Sequence, residues 1–446
     1  MQATLLWFLW QDLLQPFRPA FTNHGFPRFV QWVTGLVLNV EEHTITQSLI
    51  GLGQEEDWKH LENFAEVGHW NQPLVERALA RLLEDAPGRL WHGYRVSAVD
   101  DSKGHRSSKK VWGCCTFHEY TARCPNRAQT VRAHNWVVLG ALLHNEDQPA
   151  WFLPQTGKLY FRRSQLPTEP DVEEFYTKNE LAVQLLHEQA EAVPGKHLAA
   201  FDGAFATASV VRPLVCPADD LPRIDFVTRL RKDARLYTPL VPPREGQKGR
   251  GAPRKWGKRL PPPRRGGQWS GGWQEGVAFV YGRRRRVRWK EVLCQWRVLG
   301  HEVVVKAVVA EVEGYRIRFC LVCSAVELTG LQIVVLFGAR WRQEDGFRDL
   351  KQRLGWEECR AWTKKPVLRT SWAQMVAMSL LRLLQLRLEG LGQTDWWLRP
   401  PWNKRKTRPS VLDVERLLRS RRPEIQQLLR EWLNCWENKT EKEGSK

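Results

Sequence analysis

At Tyr94 the spacing of the apolar residues changes, and that change constrains the fold more than any single motif. From Leu74 through Leu83 apolar positions recur every three and four residues, the repeat of an amphipathic helix. Beyond it, Tyr94 to Val99 alternates as a strand does and ends in Asp100 and Asp101, followed by the breakers Ser102, Lys103 and Gly104. Val111 to Phe117 and Asn135 to Leu143 repeat the alternation, which predicts a β-meander. A helix is expected from about Asp171 to Ala192, beginning near Thr168 and closing at Pro194 and Gly195. The strand His197 to Phe201 then ends in Asp202 and Gly203, and a helix-like stretch, Ala204 to Leu214, leads to another strand, Arg223 to Leu230. Strands and helices that alternate in this way predict an α/β fold with a helical segment in front of it.

Between Pro242 and Gly267 the composition breaks: the segment is almost wholly Pro, Gly, Arg and Lys, with Glu245 its only acid. Such a stretch is expected to be a linker or basic arm. Arg283, Arg284, Arg285 and Arg286 follow, and the alternating runs Val287 to Val298 and Glu302 to Glu313 predict an inserted antiparallel hairpin. Lys and Arg number 68 against 49 Asp and Glu, a formal net charge of +19 that favours a polyanionic partner, nucleic acid first. The basic arm reads either as solvated linker or as a source of nonspecific phosphate contacts. Trp256, Trp269, Trp273 and Trp289 lie among these cations, suited either to stacking on unpaired bases or to packing.

Downstream, Tyr315 to Ser324 reads as a strand, Thr329 and Gly330 as a turn, and 331–354 as one helix. A second apolar helix is expected over Trp372 to Leu391, then a basic linker, Arg399 to Arg408, and a last amphipathic helix from about Ser410 to Trp436. No apolar run approaches the roughly 20 residues that span a bilayer, and Leu5 to Trp10 lacks the flanks of a signal peptide, so a cytosolic protein is expected. Nine cysteines without framework spacing fit that compartment as free thiols. Cys320 and Cys323 form a lone CxxC on a predicted strand, where side chains three apart face opposite ways; buried thiols are expected rather than zinc ligands. His118, His134 and His144 are read as structural or surface residues.

Two strands that end in Asp, and a helix bearing Glu344, supply what a two-metal phosphoryl-transfer site needs: carboxylates that bracket divalent ions. On spacing alone, turn-forming Asp at strand ends remains an equally simple account. Phe337, Arg340, Glu344 and Lys351, at steps of three, four and seven, fall on one face of a continuous helix.

That segment, FGARWRQEDGFRDLK over 337–351, resembles the Tyr-x(2)-Arg-x(3)-Glu-x(6)-Lys signature of the DDE transposases of bacterial insertion sequences, with Phe337 in place of Tyr. LGWEECRAW from Leu354, CLVCSAVELTG before the signature, VDDSK at 99–103, FDGAFA at 201–206 and FVTRLRKDARLY at 226–237 continue the likeness, which covers roughly residues 20 to 390. The resemblance implies an RNase H-like core, a mixed five-stranded sheet flanked by helices, with a β-rich insertion between the second Asp and the Glu. The boundaries expected are a helical N-terminal DNA-binding domain over 1–88, a first core part over 89–235, and a basic linker with the β-rich insertion over 236–314. A second core part over 315–392 and a basic linker with a C-terminal helix over 393–446 complete the chain.

By the same resemblance Asp101, Asp202 and Glu344 are the catalytic, metal-binding acids. Two Mg²⁺ ions are implied as cofactor, with Mn²⁺ substituting. Neighbours on a strand face opposite sides, so only one of Asp100 and Asp101 looks into the site; the family habit of an acid directly before Ser or Thr favours Asp101, with Asp100 the alternative. Arg340 and Lys351 are expected to hold DNA phosphates, with Phe337 beside them and Arg283 to Arg286 as further DNA contacts. The implied activity is cleavage at element ends and strand transfer into target DNA. The implied partners are the terminal inverted repeats and target duplex, bound by a homodimer assembled on DNA, with no membrane. Two alternatives stand beside it: a transposase-derived protein that binds DNA without cutting, and a basic packaging protein. A two-carboxylate glycosidase fits the acids but not the charge.

Overall fold

In a computed structural model of the chain, the described residues are 1–446 apart from 120–128, 146–147, 168–173, 219, 241–253, 405 and 445–446. The chain opens with α1 (Ala3–Leu14), α2 (Gly25–Leu38), α3 (Trp58–Glu66) and α4 (Gln72–Glu84), with short 3₁₀ turns between α1 and α2 and between α2 and α3. Strands β1 (Leu90–Trp91), β2 (Tyr94–His105), β3 (Cys115–His118), β4 (Thr130–Asn145) and β5 (Gln148–Tyr160) follow. Then come α5 (Lys178–Ala192), β6 (His197–Phe201), α6 (Ala208–Val215), β7 (Ile224–Arg229) and β8 (Leu236–Tyr237). A second run of strands comprises β9 (Gln274–Val280), β10 (Arg283–Trp296), β11 (Val304–Val312) and β12 (Phe319–Cys323). The chain ends with α7 (Gly330–Arg340), α8 (Arg342–Arg353), α9 (Lys364–Gly390), α10 (Val411–Arg419) and α11 (Arg422–Gly444).

All twelve strands among the described residues join one mixed sheet, whose main path runs β3-β4-β2-β6-β7-β12-β11-β10-β8. Strands β2, β6 and β7 pair in parallel, and the other pairings are antiparallel. Within it β5-β4-β2-β6-β7 is a mixed five-strand segment compatible with an RNase H-like fold. The sheet is larger than the five strands expected. The strands read as an insertion do not stand apart: β11 pairs with β12, and β12 with β7, so the core sheet simply continues. Open backbone groups along β7 and β12 are satisfied by that continuation.

Alternation along each strand builds two cores. Val96 and Ala98 of β2, Val138 of β4 and Ala200 of β6 face α7, α8, α9 and the N-terminal helices. Val99, Val137, Leu139, Ala199 and Phe201 face α5 and α6. Cys320 and Cys323 fall into these two different clusters, as side chains three apart on a strand must, and burial pushes both thiols up.

Several expected boundaries move for local reasons. β2 does not stop at Asp101, because its pairing with β4 carries on through Ser102, Lys103 and Gly104 to His105. The helix expected from Asp171 begins at Lys178, where Thr177 and Glu180 form a capping box; the expected start near Thr168 lies outside the described residues. The single helix over 331–354 is two, with backbone bonds from Trp341 to Gly338 and from Glu344 to Trp341 replacing the regular helical step. The apolar helix starts at Lys364 rather than Trp372, its Pro366 lying in the first turn where no donor is lost. The last helix is also two, with Pro423 at the start of α11. In the basic arm, residues 241–253 lie outside the description, whereas Pro263 and Gly266 are buried, Gly266 against Val309 of β11.

Candidate active site

Parallel pairing of β2 with β6 sets Ala98 beside Ala200 and Val99 beside Phe201. The paired register ends there, and both chains stay extended for one more residue, which brings Asp100 and Asp202 to the same face at the carboxyl ends of two parallel strands. Crevices outside such strand ends are where open α/β sheets bind ligands.

Asp100 points to the face that carries α7 and α8. Its Oδ2 lies 3.4 Å from Nη1 of Arg340, and Nη2 of the same guanidinium lies 3.3 Å from Oε1 of Glu344. Burial pushes the Asp100 carboxyl up to about 7; Arg340 and the Asp101 N–H oppose that rise, and the charges of Asp101 and Asp202 add to it. Asp101 faces the other way, its Oδ2 2.6 Å from Nζ of Lys178 at the start of α5. Asp100, rather than the expected Asp101, shares the Arg340 guanidinium with Glu344, since the face is set by the pleat and by the register with β6.

Asp202 caps the 3₁₀ turn Gly203–Phe205 by accepting from the Gly203 N–H, and its carbonyl accepts from Thr228 on β7. Glu344 sits in the first turn of α8 and is half-exposed. Gln343, fully buried, donates to the Val138 carbonyl at 3.0 Å and fixes that turn against β4.

The remaining signature residues are engaged within the chain. Phe337 is buried in the core, with the Arg340 guanidinium 5.5 Å from its ring centre. Arg340 is itself buried, its Nε without a hydrogen-bond partner among the described residues. Nζ of Lys351 donates to the Lys103 carbonyl at 2.6 Å and pairs with Glu357 at 3.2 Å, tying α8 to the far end of β2. Arg283 to Arg286 begin β10 just after the tight turn Tyr281-Gly282, both at positive φ. Arg285 packs on Tyr315 and donates to Val280 and Glu313 carbonyls, while Arg283 and Arg286 are exposed.

Of the four tryptophans among the basic residues, Trp269 and Trp289 are buried and Trp256 packs on Tyr237. Trp273 is ringed by Arg288, Lys290 and Arg318, with Arg288 nearest at 5.2 Å. His134 is buried between Arg106, which donates to its Nδ1, and the Trp112 carbonyl; burial and the Arg106 charge take it down to about 4.

Asp100, Asp202 and Glu344 offer hard oxygen donors of the kind Mg²⁺ and Mn²⁺ prefer, and the donor set fits such an ion. As placed, no three acidic, His or Cys side chains among the described residues converge closely enough to hold one, and Arg340 stands between Asp100 and Glu344. Sequence reasoning left Lys178 and Gln343 unnoticed. The Asp100 assignment had a signal: Ala98-Val99-Asp100 and Ala200-Phe201-Asp202 are the same small-large-acid pattern on adjacent strands.

The family model described as DDE superfamily endonuclease matches residues 16–297, more than half of the chain. The match takes in Asp100, Asp101 and Asp202 and ends before Glu344. Among curated proteins none matches the chain.

Proposed function

Since the chain belongs to the DDE superfamily endonucleases, we propose that it is a DNA transposase of the insertion-sequence-four type, which cuts at element ends and joins them to target DNA. The observation that carries this reading is the pairing of Asp100 and Glu344 with one guanidinium, that of Arg340, while Asp202 follows the end of the parallel strand beside Asp100. The signature spacing of Arg340, Glu344 and Lys351 supports the branch, and Phe337 departs from it. Asp100, Asp202 and Glu344 are the residues to hold Mg²⁺, which when bound supplies the Lewis acid that activates a water or 3′-hydroxyl and steadies the leaving oxygen.

The chain's own groups do the positioning. Gln343 fixes the turn that presents Glu344, and Lys351 fixes the other end of α8. Lys178 pairs with Asp101 on the opposite face of β2, to which the pleat directs it, and Asp100 faces the crevice. Arg340, already oriented by two carboxylates, is placed to neutralise a phosphate that approaches them. The substrates are duplex DNA at the terminal inverted repeats and at the target, held by a dimer formed on DNA. The segment 1–88 is the part proposed to read the element ends.

Cleavage of DNA carrying flanking terminal repeats, with Mg²⁺ or EDTA, tests the reading. Wild type is expected to yield Mg²⁺-dependent 3′-hydroxyl ends, and Asp100→Asn, Asp202→Asn and Glu344→Gln to lose at least about 100-fold in rate, the scale of a lost catalytic group. Asp101→Asn is expected to keep cutting. Binding without cutting by the wild type establishes instead a transposase-derived binding protein.

A further inference from the structure

Helix α8 has a second charged face. Glu344 faces the acid cluster and Lys351, seven residues on, the end of β2, whereas Arg342, Asp345 and Asp349 line a cavity of about 610 Å³ on the other side. Pro149 and Trp151 of β5, Arg382 of α9, Pro400, Asn403 and residues 406–410 complete its walls. Among the described lining residues five cations, Arg342, Arg348, Arg382, Lys406 and Arg408, face two acids, Asp345 and Asp349.

The acids are shared out. Asp345 pairs with both Arg342 at 2.7 Å and Arg348 at 2.9 Å. Asp349 reaches Arg382 only at 3.8 Å, and Lys406 is taken by Asp413. Arg382 is buried, with an Nε that has no partner among the described residues. Arg408 has no carboxylate within ion-pair distance among the described residues; it donates to the Pro149 carbonyl and stacks 3.4 Å from the centre of the Trp151 ring, with Arg382 on the same ring at 3.8 Å. Burial, with the charges of Arg342 and Arg382, disfavours the charge that Arg408 carries. A guanidinium keeps its proton in proteins, so the surplus positive charge is relieved by an anion rather than by deprotonation.

We infer that this cavity is a phosphate seat for the backbone of duplex DNA, separate from the acid cluster. The Trp151 ring gathers the guanidiniums of Arg408 and Arg382 in one wall of the cavity, and a guanidinium fork is the geometry that phosphate oxygens accept. The wall includes Gly282, whose backbone approaches Arg342, so the cavity adjoins the turn that leads into Arg283 and Arg284. That continuity favours a polymer of phosphates over a single free one. The inference rests on the DNA-acting reading for the source of the phosphate alone.

The test is anisotropy of a labelled duplex with the full chain in EDTA, across a salt series, so that it is independent of cutting. Arg348→Gln, an exposed change, and Arg408→Gln are each expected to weaken binding about 3- to 10-fold and to lower the salt slope by about 1. Arg348→Lys is expected to keep most of the affinity, and Arg231→Gln, an exposed cation elsewhere, to leave it unchanged. If Arg408→Gln unfolds, Arg348→Gln with its Lys control decides alone. Unchanged affinity and slope in Arg348→Gln overturn the proposal. So does stabilisation of the wild type by millimolar inorganic phosphate or ATP, lost in Arg348→Gln, when duplex binding is unaffected; the seat then belongs to a small phosphate ligand. Loss of cutting in Asp202→Asn with duplex binding intact separates failure at the acid cluster from failure here.

Discussion

Arg340 joins Asp100 to Glu344 through two nitrogens of one guanidinium, so a divalent ion that enters this cluster competes with a fixed cation for the same oxygens. Two like charges near Asp100 make the competition worthwhile, because a divalent ion offsets the carboxylates more fully than one guanidinium can. Mn²⁺ or Mg²⁺ is therefore expected to raise the melting temperature of the wild type, with a stabilisation of about 2.7 kcal/mol at a hundredfold excess over Kd. Asp100→Asn and Asp202→Asn are expected to abolish the rise, and Asp101→Asn to retain it; the opposite pattern in a thermal melt inverts the assignment of the two neighbours. Spacing alone left the acidic segments open to a turn-forming account, and the resemblance singled them out. Which of two adjacent aspartates faces inward depends on the register with β6, whose signal was the matched pattern of Ala98-Val99-Asp100 and Ala200-Phe201-Asp202, whereas the residue following the acid carries no information about the pleat.

Helix α9 holds the helical layer together through polar groups on an otherwise apolar helix. The buried Arg369 donates to the carbonyls of Phe64, Ala65 and Gly68 at the end of α3; the Phe64 carbonyl also accepts from the Gly68 N–H. Arg369→Ala removes the side-chain donor from Ala65 and Gly68 and a cation from a helix C-terminus. It is expected to destabilise the fold by about 2–4 kcal/mol, read from urea denaturation; a loss below about 0.5 kcal/mol contradicts this account. The existence of the helices was readable from apolar spacing, and so was the start at Thr329, where the side chain caps the helix together with Gln332. The break at Trp341 was not readable: no Pro or Gly stands at that residue, and the apolar and charged positions on either side keep helical steps across it. Phe337 and Glu344 consequently do different work, one in the core and one in the crevice.

The two ends of the chain close on one another across the sheet. Helices α1 to α4 share a core with α9, α10 and α11, so the segment expected as a separate N-terminal domain packs against the last hundred residues. Composition did not foretell this, because a basic linker reads alike whether it joins independent parts or leads back into a common core. Glu415 of α10 lies at that junction. It is fully buried, neither carboxylate oxygen finds a hydrogen-bond partner among the described residues, and Arg419, 3.7 Å away, spends its Nε on the Val37 carbonyl of α2. Burial pushes Glu415 from its ordinary value of 4.5 up to about 7, opposed by Arg419 and Arg353 and reinforced by Asp349. The folded state thus holds the proton more tightly than the unfolded chain, and stability falls as pH rises from the unfolded value through the folded one. The penalty is absent below about pH 4.5, complete above about pH 7, and on the order of 3 kcal/mol. Denaturation curves at pH 5 and pH 8 are expected to show the wild type losing more stability across that interval than Glu415→Gln, by roughly that amount. Parallel losses in the two proteins place the buried carboxylate outside the forces that join the two ends.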